Sequence, residues 1–543
     1  MLSRLLSSIF RLRHNLFSSF LLTIVFIIGE QTFRLLHPFL SFNLNMHKFS
    51  EQFLIAFIAL LMLKKKTIKG IYIFILSIVF IQLVHFNFYG TWIFPFEYLL
   101  FFTKFRETME TFTSVLSITF IPLLIVAIMS YLTFKIIDKM SPQRVAIPFL
   151  SYILIIFLLS LPVGVFFKDK SKRGARPNIE VTVIVNSINT LGFFVGRVLP
   201  QKLFNLNNNV KEVVATPKVQ RENPDVNIVV VMGESLTTKP MSLYGEEEKT
   251  TPYLDTLKND KNFIYQRAFS AGVMTDISLP SFFNILYEPD STPQILSTNT
   301  CLFKMAKDNG FDTHFYSAQC SDGLSNIKSY LCPNWIDNYL DGSSSSGEIK
   351  KDSLDNVLVE RLGKVDFSKA NFIVLHQIGS HSPVEWRYPK EFTHFKPNPN
   401  DEIDLSGYKN TILYTDYILN EIIKVLQEKS TKPTYLFFTS DHGEGIDHHA
   451  GHGHLHVKDQ YEVPFVMYKM NEKNDLNYEL KDQKYTSHYE IAKLVAKALG
   501  YDVSSLRKYD GNHVVCGSDI SGVAGYLKIH LEDNKIKKLK IVD

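Results

Sequence analysis

The chain has 543 residues, with 58 Lys and Arg against 54 Asp and Glu, for a formal charge of +4. So even a balance leaves no electrostatic footprint for nucleic acid, and the length exceeds a single ordinary domain. The mean hydropathy of +0.02 averages over two dissimilar parts, so the composition has to be read by segment.

From Leu16 to Phe167, apolar stretches alternate with short basic or polar loops. Several approach the roughly 20 residues needed to cross a bilayer. The pattern predicts five spans. Leu16 to Leu36 is interrupted by Glu30, Gln31 and Arg34, and Phe53 to Leu63 is short unless Phe49 to Gln52 extend it; Gly70 to Phe86, Val115 to Phe134 and Val145 to Phe167 follow. The first run has no small-residue cleavage site after it and reads as a retained helix rather than a signal peptide. Arg4, Arg11 and Arg13 place the N-terminus inside, and the basic groups Lys64, Lys65, Lys66 and Lys69, then Lys135, Lys139 and Arg144, mark two cytoplasmic loops. Five spans then deliver everything after Phe167 to the outside. The cluster Lys168, Lys170, Lys172, Arg173 and Arg176 opposes this, but it precedes a long translocated domain, where charge counts for less. Asn87 to Ser114, with Tyr89, Trp92 and Tyr98, is expected as an interfacial lip at the outer membrane surface.

Asn205 to Asp225 is polar, with an Asn run and two prolines, and reads as a linker. The expected division is a transmembrane domain over 1–170, a linker over 171–225 and a soluble catalytic domain over 226–543. Cys301, Cys320, Cys332 and Cys516 all fall in the part placed outside, where disulfides persist. The short connecting segment favours Cys320 with Cys332 as the bridge. No C-x-x-C pair occurs, so a metal here would be held by His and carboxylate ligands.

In the soluble part, strand-length apolar runs at Asn227 to Met232, Asn371 to Leu375 and Tyr435 to Phe438 alternate with helical patterns such as Tyr408 to Leu426 and Tyr489 to Leu499. This predicts an α/β domain with a mostly parallel sheet covered on both faces. The first strand ends in Gly233-Glu234-Ser235, the second runs into His376 and then His381, and the third ends in Ser440-Asp441-His442-Gly443-Glu444. Ligands gather at the carboxyl ends of strands in such sheets, and here carboxylates and imidazoles collect at three of them. Glu234, Asp441 and His442 can supply three of four zinc ligands, with a threonine oxygen as the fourth. Thr275, shortly before Pro280, suits the first turn of a helix, where a phosphoryl group would meet unpaired N–H groups. Metal coordination would favour the alkoxide and make Thr275 a nucleophile. The plainer readings are a helix cap for Thr275 and a surface imidazole for His442; the complete ligand set outweighs both. Glu444 is expected to support its neighbours. Gly525 to Val542 reads as a hairpin around Asp533-Asn534.

At these motifs the sequence resembles the lipid A phosphoethanolamine transferases, a group that includes the colistin-resistance enzymes, within the alkaline phosphatase and sulfatase superfamily. Gly233-Glu234-Ser235, Thr275-x-x-Ser-x-Pro, His376-x-x-Gly-x-His381 and Ser440-Asp441-His442-Gly443-Glu444 occur in the family's order, and the likeness covers essentially the whole chain. The resemblance implies a bacterial inner-membrane protein with a periplasmic alkaline-phosphatase-like domain. It implies zinc on Glu234, Thr275, Asp441 and His442, with His376, His381 and a later histidine binding the phosphoryl group or a second zinc. For that later position, five histidines compete between Asp447 and His456; spacing favours His454 and the His-Gly pairing favours His452. The implied reaction moves phosphoethanolamine from phosphatidylethanolamine to Thr275 and then to an envelope glycolipid or glycan such as lipid A, with His376 or His381 as proton donor and a monomer as the working unit. Two departures bear on the acceptor: Ala271 and Ser281 stand where many members carry a disulfide, and Ser317 to Ser325 lacks a substrate-contacting lysine, with Asp322 in its place. A sulfatase is disfavoured because Thr275-Asp-Ile-Ser-Leu has neither the formylglycine precursor nor its arginine. A phosphoglycerol transferase is the nearer alternative.

Overall fold

In the computed structural model the chain divides into two compact units, Met1–Leu206 and Asn207–Asp543. The structure describes residues 2–36, 46–89, 92, 93, 95, 97, 98, 101, 119–139, 152, 153, 156, 157, 160 and 182–200 of the first unit. In the second it describes 213–289, 292–321, 323, 324, 327–346, 352–396, 404–446, 451–471, 476–517, 520 and 525–542.

The first unit is helical: α1 (Leu2–Leu35), α2 (Met46–Met62), α3 (Lys65–Tyr89), α4 (Phe120–Lys139) and α5 (Val183–Phe193). Three described stretches are long and apolar enough to cross a membrane: Arg13–Leu35, Lys65–Asn87 and Phe120–Lys139. The second expected span falls on α2, which at 17 residues is short for a crossing, and Val145 to Phe167 lies largely outside the described residues. Helix α5 forms within the stretch expected to be linker. Large apolar side chains such as Phe74 on α3 and Phe120, Leu123 and Ile128 on α4 are exposed, as helices facing lipid require. The charges that interrupt α1 neutralise each other: Arg34 lies 3.1 Å from Glu30, which also accepts a hydrogen bond from the Val183 amide. Intramembrane charges are retained when paired in this way. Trp92, within the stretch expected as an interfacial lip, is buried against Phe86 and Phe33.

The second unit is built on an eight-stranded sheet. Its strands are β1 (Asn227–Gly233), β2 (Phe263–Phe269), β3 (Asp312–Ser317), β4 (Asn338–Leu340), β5 (Asn371–His376), β6 (Thr434–Ser440), β7 (Glu462–Met470) and β8 (Tyr485–Ser487), in the order β4-β3-β5-β1-β6-β7-β2-β8. The sheet is mixed: β7 runs antiparallel to both of its neighbours, β6 and β2, while the other pairings are parallel. Every residue of β1 and β6 is buried, because each strand is covered on both faces. Alternate side chains therefore feed two cores. Ile228, Val230, Phe372 and Phe437 pack on one face with α6 (Thr275–Phe283), α7 (Leu302–Asp308) and a C-terminal helix, α10 (His488–Ala498); Val229, Val231, Ile373 and Phe438 pack on the other with α8 (Asn356–Leu362) and α9 (Leu405–Lys429).

A second, three-stranded antiparallel sheet closes the chain: β9 (Asn512–Cys516), β10 (Tyr526–Glu532) and β11 (Lys535–Val542). The expected hairpin turn is Asp533-Asn534, both with positive φ (51° and 58°), as a tight turn between twisted strands demands. This sheet grips the segment before α6, since the Cys516 amide donates to the Ala271 carbonyl and the Val273 amide to the Cys516 carbonyl.

The disulfide differs from the expected one. Cys301 pairs with Cys332, and Cys320 and Cys516 are buried outside any bridge. Packing decides this: Cys301 and Cys332 share the core beneath α7, whereas the Cys320 backbone is drawn to the sheet edge by a 2.9 Å bond from its amide to Asp352. Nearness in sequence did not become nearness in space.

Candidate active site

The carboxyl ends of β1 and β6 lie side by side, with Gly233 opposite Ser440, so the residues that follow each strand meet. Glu234, Asp441 and His442 are fully buried, and one ligand atom from each falls within 4.8 Å of the others. Nε2 of His442 is 3.3 Å from Oε1 of Glu234 and 3.4 Å from Oδ2 of Asp441. Thr275, the first residue of α6, completes the group: its Oγ1 lies 3.2 Å from Oε2 of Glu234 and 3.3 Å from Nε2 of His442. The helix runs on through Pro280, which sits past its first turn.

Backbone constraints hold this geometry. Ser235 turns with φ of 56°, and its amide donates to Oδ1 of Asp441, which also takes the His442 amide. Nδ1 of His442 lies 2.9 Å from the Gly443 carbonyl, leaving Nε2 for the cluster. Gly379 has φ of 50°, and a Cβ there would come within 2.8 Å of the Glu234 carbonyl, so only glycine lets the β5 loop close over β1.

Electrostatics mark the cluster as short of positive charge. Burial disfavours a charge on Glu234, yet His442 and, further off, His381 and His376 hold its carboxyl well below the usual range. Burial and the neighbouring Glu234 push Asp441 up. Burial would lower His442, but Asp441 and Glu234 raise it to about 10. Two carboxylates and one imidazole thus compete for protons in a water-poor site, and Oδ2 of Asp441 is buried without a conventional hydrogen bond. A divalent cation among these oxygen and nitrogen donors would resolve that competition, and the donor set fits a zinc-type ion.

The remaining expected residues separate. His376 is fully buried, with Nδ1 2.9 Å from Oγ of Ser317, and burial lowers it to about 4. His381 is half-buried, and its ring centroid lies 6.3 Å from that of His452. Among the described histidines of the histidine-rich stretch, His452 stands against the site: its ring is 4.3 Å from that of His442, and its Nδ1 is 3.3 Å from Glu444, the supporting carboxylate. His454 is fully buried, and its backbone amide donates to Oε1 of Gln460 at 2.7 Å.

Three residues were invisible to the sequence reading. Gln319 donates to Oε2 of Glu234 at 2.8 Å and lies 3.4 Å from Nε2 of His376, tying the two strand ends together. His488, at the start of α10, accepts from the Ala271 amide and approaches Ser278 and Thr439, and its burial holds it neutral, with a value near 3. Arg387 donates to the carbonyls of His381 and Ser382 and pairs with Asp352 at 3.2 Å, which fixes the His381 loop. None belongs to a motif. A lone Gln, His or Arg carries no periodic or spacing signal.

A doubly covered sheet with an acidic and imidazole cluster at its carboxyl edge and a threonine on a facing helix defines an alkaline-phosphatase-like domain. The family model described as Sulfatase matches residues 226–501, and the chain belongs to that family. Its relatives include the phosphoethanolamine transferase EptA of Helicobacter pylori, 28% identical over 376 residues that cover 62% of this chain and 64% of the relative. The Kdo(2)-lipid A phosphoethanolamine 7''-transferase of Escherichia coli (strain K12) is 25% identical over 45% of this chain and 44% of its own length. These matches span less than two thirds of either relative. Among solved structures, the integral membrane lipooligosaccharide phosphoethanolamine transferase A (EptA) of Neisseria meningitidis superposes with a TM-score of 0.57 over 90% of this chain and 94% of that one, at 18% identity. That likeness shows the fold.

Proposed function

We propose that this protein is a zinc-dependent phosphoethanolamine transferase that moves the headgroup of phosphatidylethanolamine to an envelope glycolipid through a covalent intermediate on Thr275. The observation that carries the reading is the Thr275 hydroxyl at the N-terminus of α6, within hydrogen-bond reach of both Glu234 and His442. Glu234, Asp441, His442 and Thr275 would hold the zinc, whose Lewis acidity favours the threonine alkoxide and offsets charge building on phosphorus. The Thr275 oxygen attacks phosphorus, the phosphorus bond to the diacylglycerol oxygen breaks, and phosphoethanolamine stays on Thr275. His381 protonates the departing alkoxide and, now neutral, takes the proton of the acceptor hydroxyl in the second displacement, in which the acceptor oxygen bonds to phosphorus, the phosphorus bond to the Thr275 oxygen breaks and the free threonine is regenerated. First-turn amides of α6 face the transferred phosphoryl group. His376, buried and bonded to Ser317, positions Gln319 rather than touching substrate.

The wider expectations belong to the same proposal. Five spans, including Val145 to Phe167, place unit Asn207–Asp543 in the periplasm of a bacterial cell, anchored in the inner membrane as a monomer, with the linker and catalytic boundaries near 171, 225 and 226. The apolar α1, α3 and α4 support this.

The test is intact-mass measurement on the full-length protein in detergent with phosphatidylethanolamine and no acceptor, beside Thr275→Ala, with zinc determined on both. The expected result is one phosphoethanolamine added to the wild type and none to the variant. A phosphoglycerol adduct would move the donor assignment to the alternative transferase, and an adduct that persists in Thr275→Ala would remove Thr275 as nucleophile.

A further inference from the structure

Helix α6 begins at Thr275, and Met274 at its capping position makes no side-chain hydrogen bond to the first turn. The place of the Thr275 hydroxyl is therefore set by contacts made on either side of that turn. The Ala271 and Val273 backbones are held by Cys516. One imidazole reaches both the segment before the helix and the helix itself.

His488, the first residue of α10, is fully buried. Its Nδ1 accepts the Ala271 amide at 3.0 Å and lies 3.2 Å from Oγ of Ser278, so a single ring atom meets the chain both before and after Thr275. The Ser278 hydroxyl in turn donates to the carbonyl of Asp441. Because Nδ1 accepts, the ring proton sits on Nε2, which lies 3.2 Å from Oγ1 of Thr439 on β6. The Phe282 ring packs edge-on against the imidazole, with centroids 5.3 Å apart. The ring thus ties the first turn of α6 to the end of the strand that leads into Asp441 and His442.

We infer, resting on the transferase reading above, that His488 is a positioning residue for the nucleophile: through the Ala271 amide and Ser278 it holds α6 where the Thr275 oxygen meets Glu234 and His442. A buried histidine has a plainer reading, that of a core side chain filling space. The two readings rank conservative replacements in opposite order. Oδ1 of an asparagine is as many bonds from the backbone as Nδ1, so His488→Asn keeps an acceptor facing Ala271 and Ser278 but leaves a void. His488→Gln is nearer in volume and reaches the Nε2 position, toward Thr439, yet offers no acceptor at Nδ1. Space filling favours Gln, and positioning favours Asn.

The rate of adduct formation on Thr275 is measured on the full-length protein in detergent, without acceptor, over a range of phosphatidylethanolamine concentrations. A displacement of about 1 Å at a reacting group costs on the order of 10²-fold. His488→Gln should slow the maximal rate about 100-fold at an unchanged half-saturating concentration, and His488→Asn should recover all but about threefold of it. Ser278→Ala, which removes one hydroxyl and little packing, tests the link from its other end and should slow the maximal rate about tenfold. A Gln variant as fast as the Asn variant, a loss confined to half-saturation, or wild-type speed in Ser278→Ala overturns the assignment. Hydrogen exchange of the amides from 270 to 279 reads the same geometry without turnover, and should be about tenfold faster in His488→Gln than in the wild type or His488→Asn; equal exchange in all three overturns it as well. A wild type that forms no adduct speaks against the transferase reading, and the exchange result then decides the positioning role by itself.

Discussion

The two edges of the large sheet carry buried polar clusters of opposite character. At the amino edge, Asn227 donates to Ser430 at 2.9 Å, Asn371 donates to Asn227 at 3.0 Å, and His314 stands 3.1 Å from Asn371. These groups are neutral: burial lowers His314, and each side chain serves as its neighbour's donor or acceptor. At the carboxyl edge, Glu234 and Asp441 press two carboxylates against one imidazole, and the group lacks the positive charge that would settle it. The strands between are equally apolar and equally buried. One edge therefore stabilises the fold, while the other gathers a donor set suited to a metal ion.

That contrast can be broken most forcefully at Asp441. Asp441→Asn should cut turnover by on the order of 10³-fold and abolish zinc retention, while thermal stability of the metal-free protein stays level or rises because carboxylate repulsion is relieved; a sharp drop in metal-free stability would show that the edge is structural after all. Gln319→Leu should lower kcat by roughly 10- to 100-fold, the usual cost of losing a group that orients a metal ligand, with KM little changed; an unchanged kcat would mean that Glu234 needs no orienting partner. Chelator treatment should lower the Tm of the wild type in proportion to the zinc removed and leave the Tm of Asp441→Asn unmoved.

At the opposite edge, Asn371→Leu should cost about 1–3 kcal/mol of stability by stranding Asn227 and His314, with kcat and zinc content as in the wild type. Loss of activity at native temperature would collapse the distinction between the edges. The smallest effect is expected away from both, at Asp416. This residue takes the amides of Tyr253 and Leu254 and so caps the short helix Pro252–Thr256 from a distance. Burial pushes its carboxyl up to about 7 despite those bonds. The folded chain thus holds a proton that the unfolded chain releases near its ordinary value of about 4. Its contribution is fully present below that value and is lost as pH rises through 7, so stability should fall between pH 4 and 7 and level off above. Asp416→Asn should flatten that slope in denaturation followed across the same range, and an unaltered slope would assign the titration elsewhere.

Much of this was legible without coordinates because it is local. Strand runs such as Asn227 to Met232 and Tyr435 to Phe438 declare themselves by apolar continuity, and Glu234, Asp441 and His442 follow their strands directly, so a covalent neighbour places each of them. The α9 and α10 helices and the Asp533-Asn534 turn were likewise carried by periodicity and turn chemistry. Through-space relations were decided by packing alone. The bridge from Cys301 to Cys332, the antiparallel course of β7 and the support of Glu234 by Gln319 each join residues distant in the chain. A sequence determines which side chains stand at the end of a strand, since that depends on bonds a few residues long. Which of them then meet depends on how two cores fill on either side of a sheet, and only the folded chain expresses that.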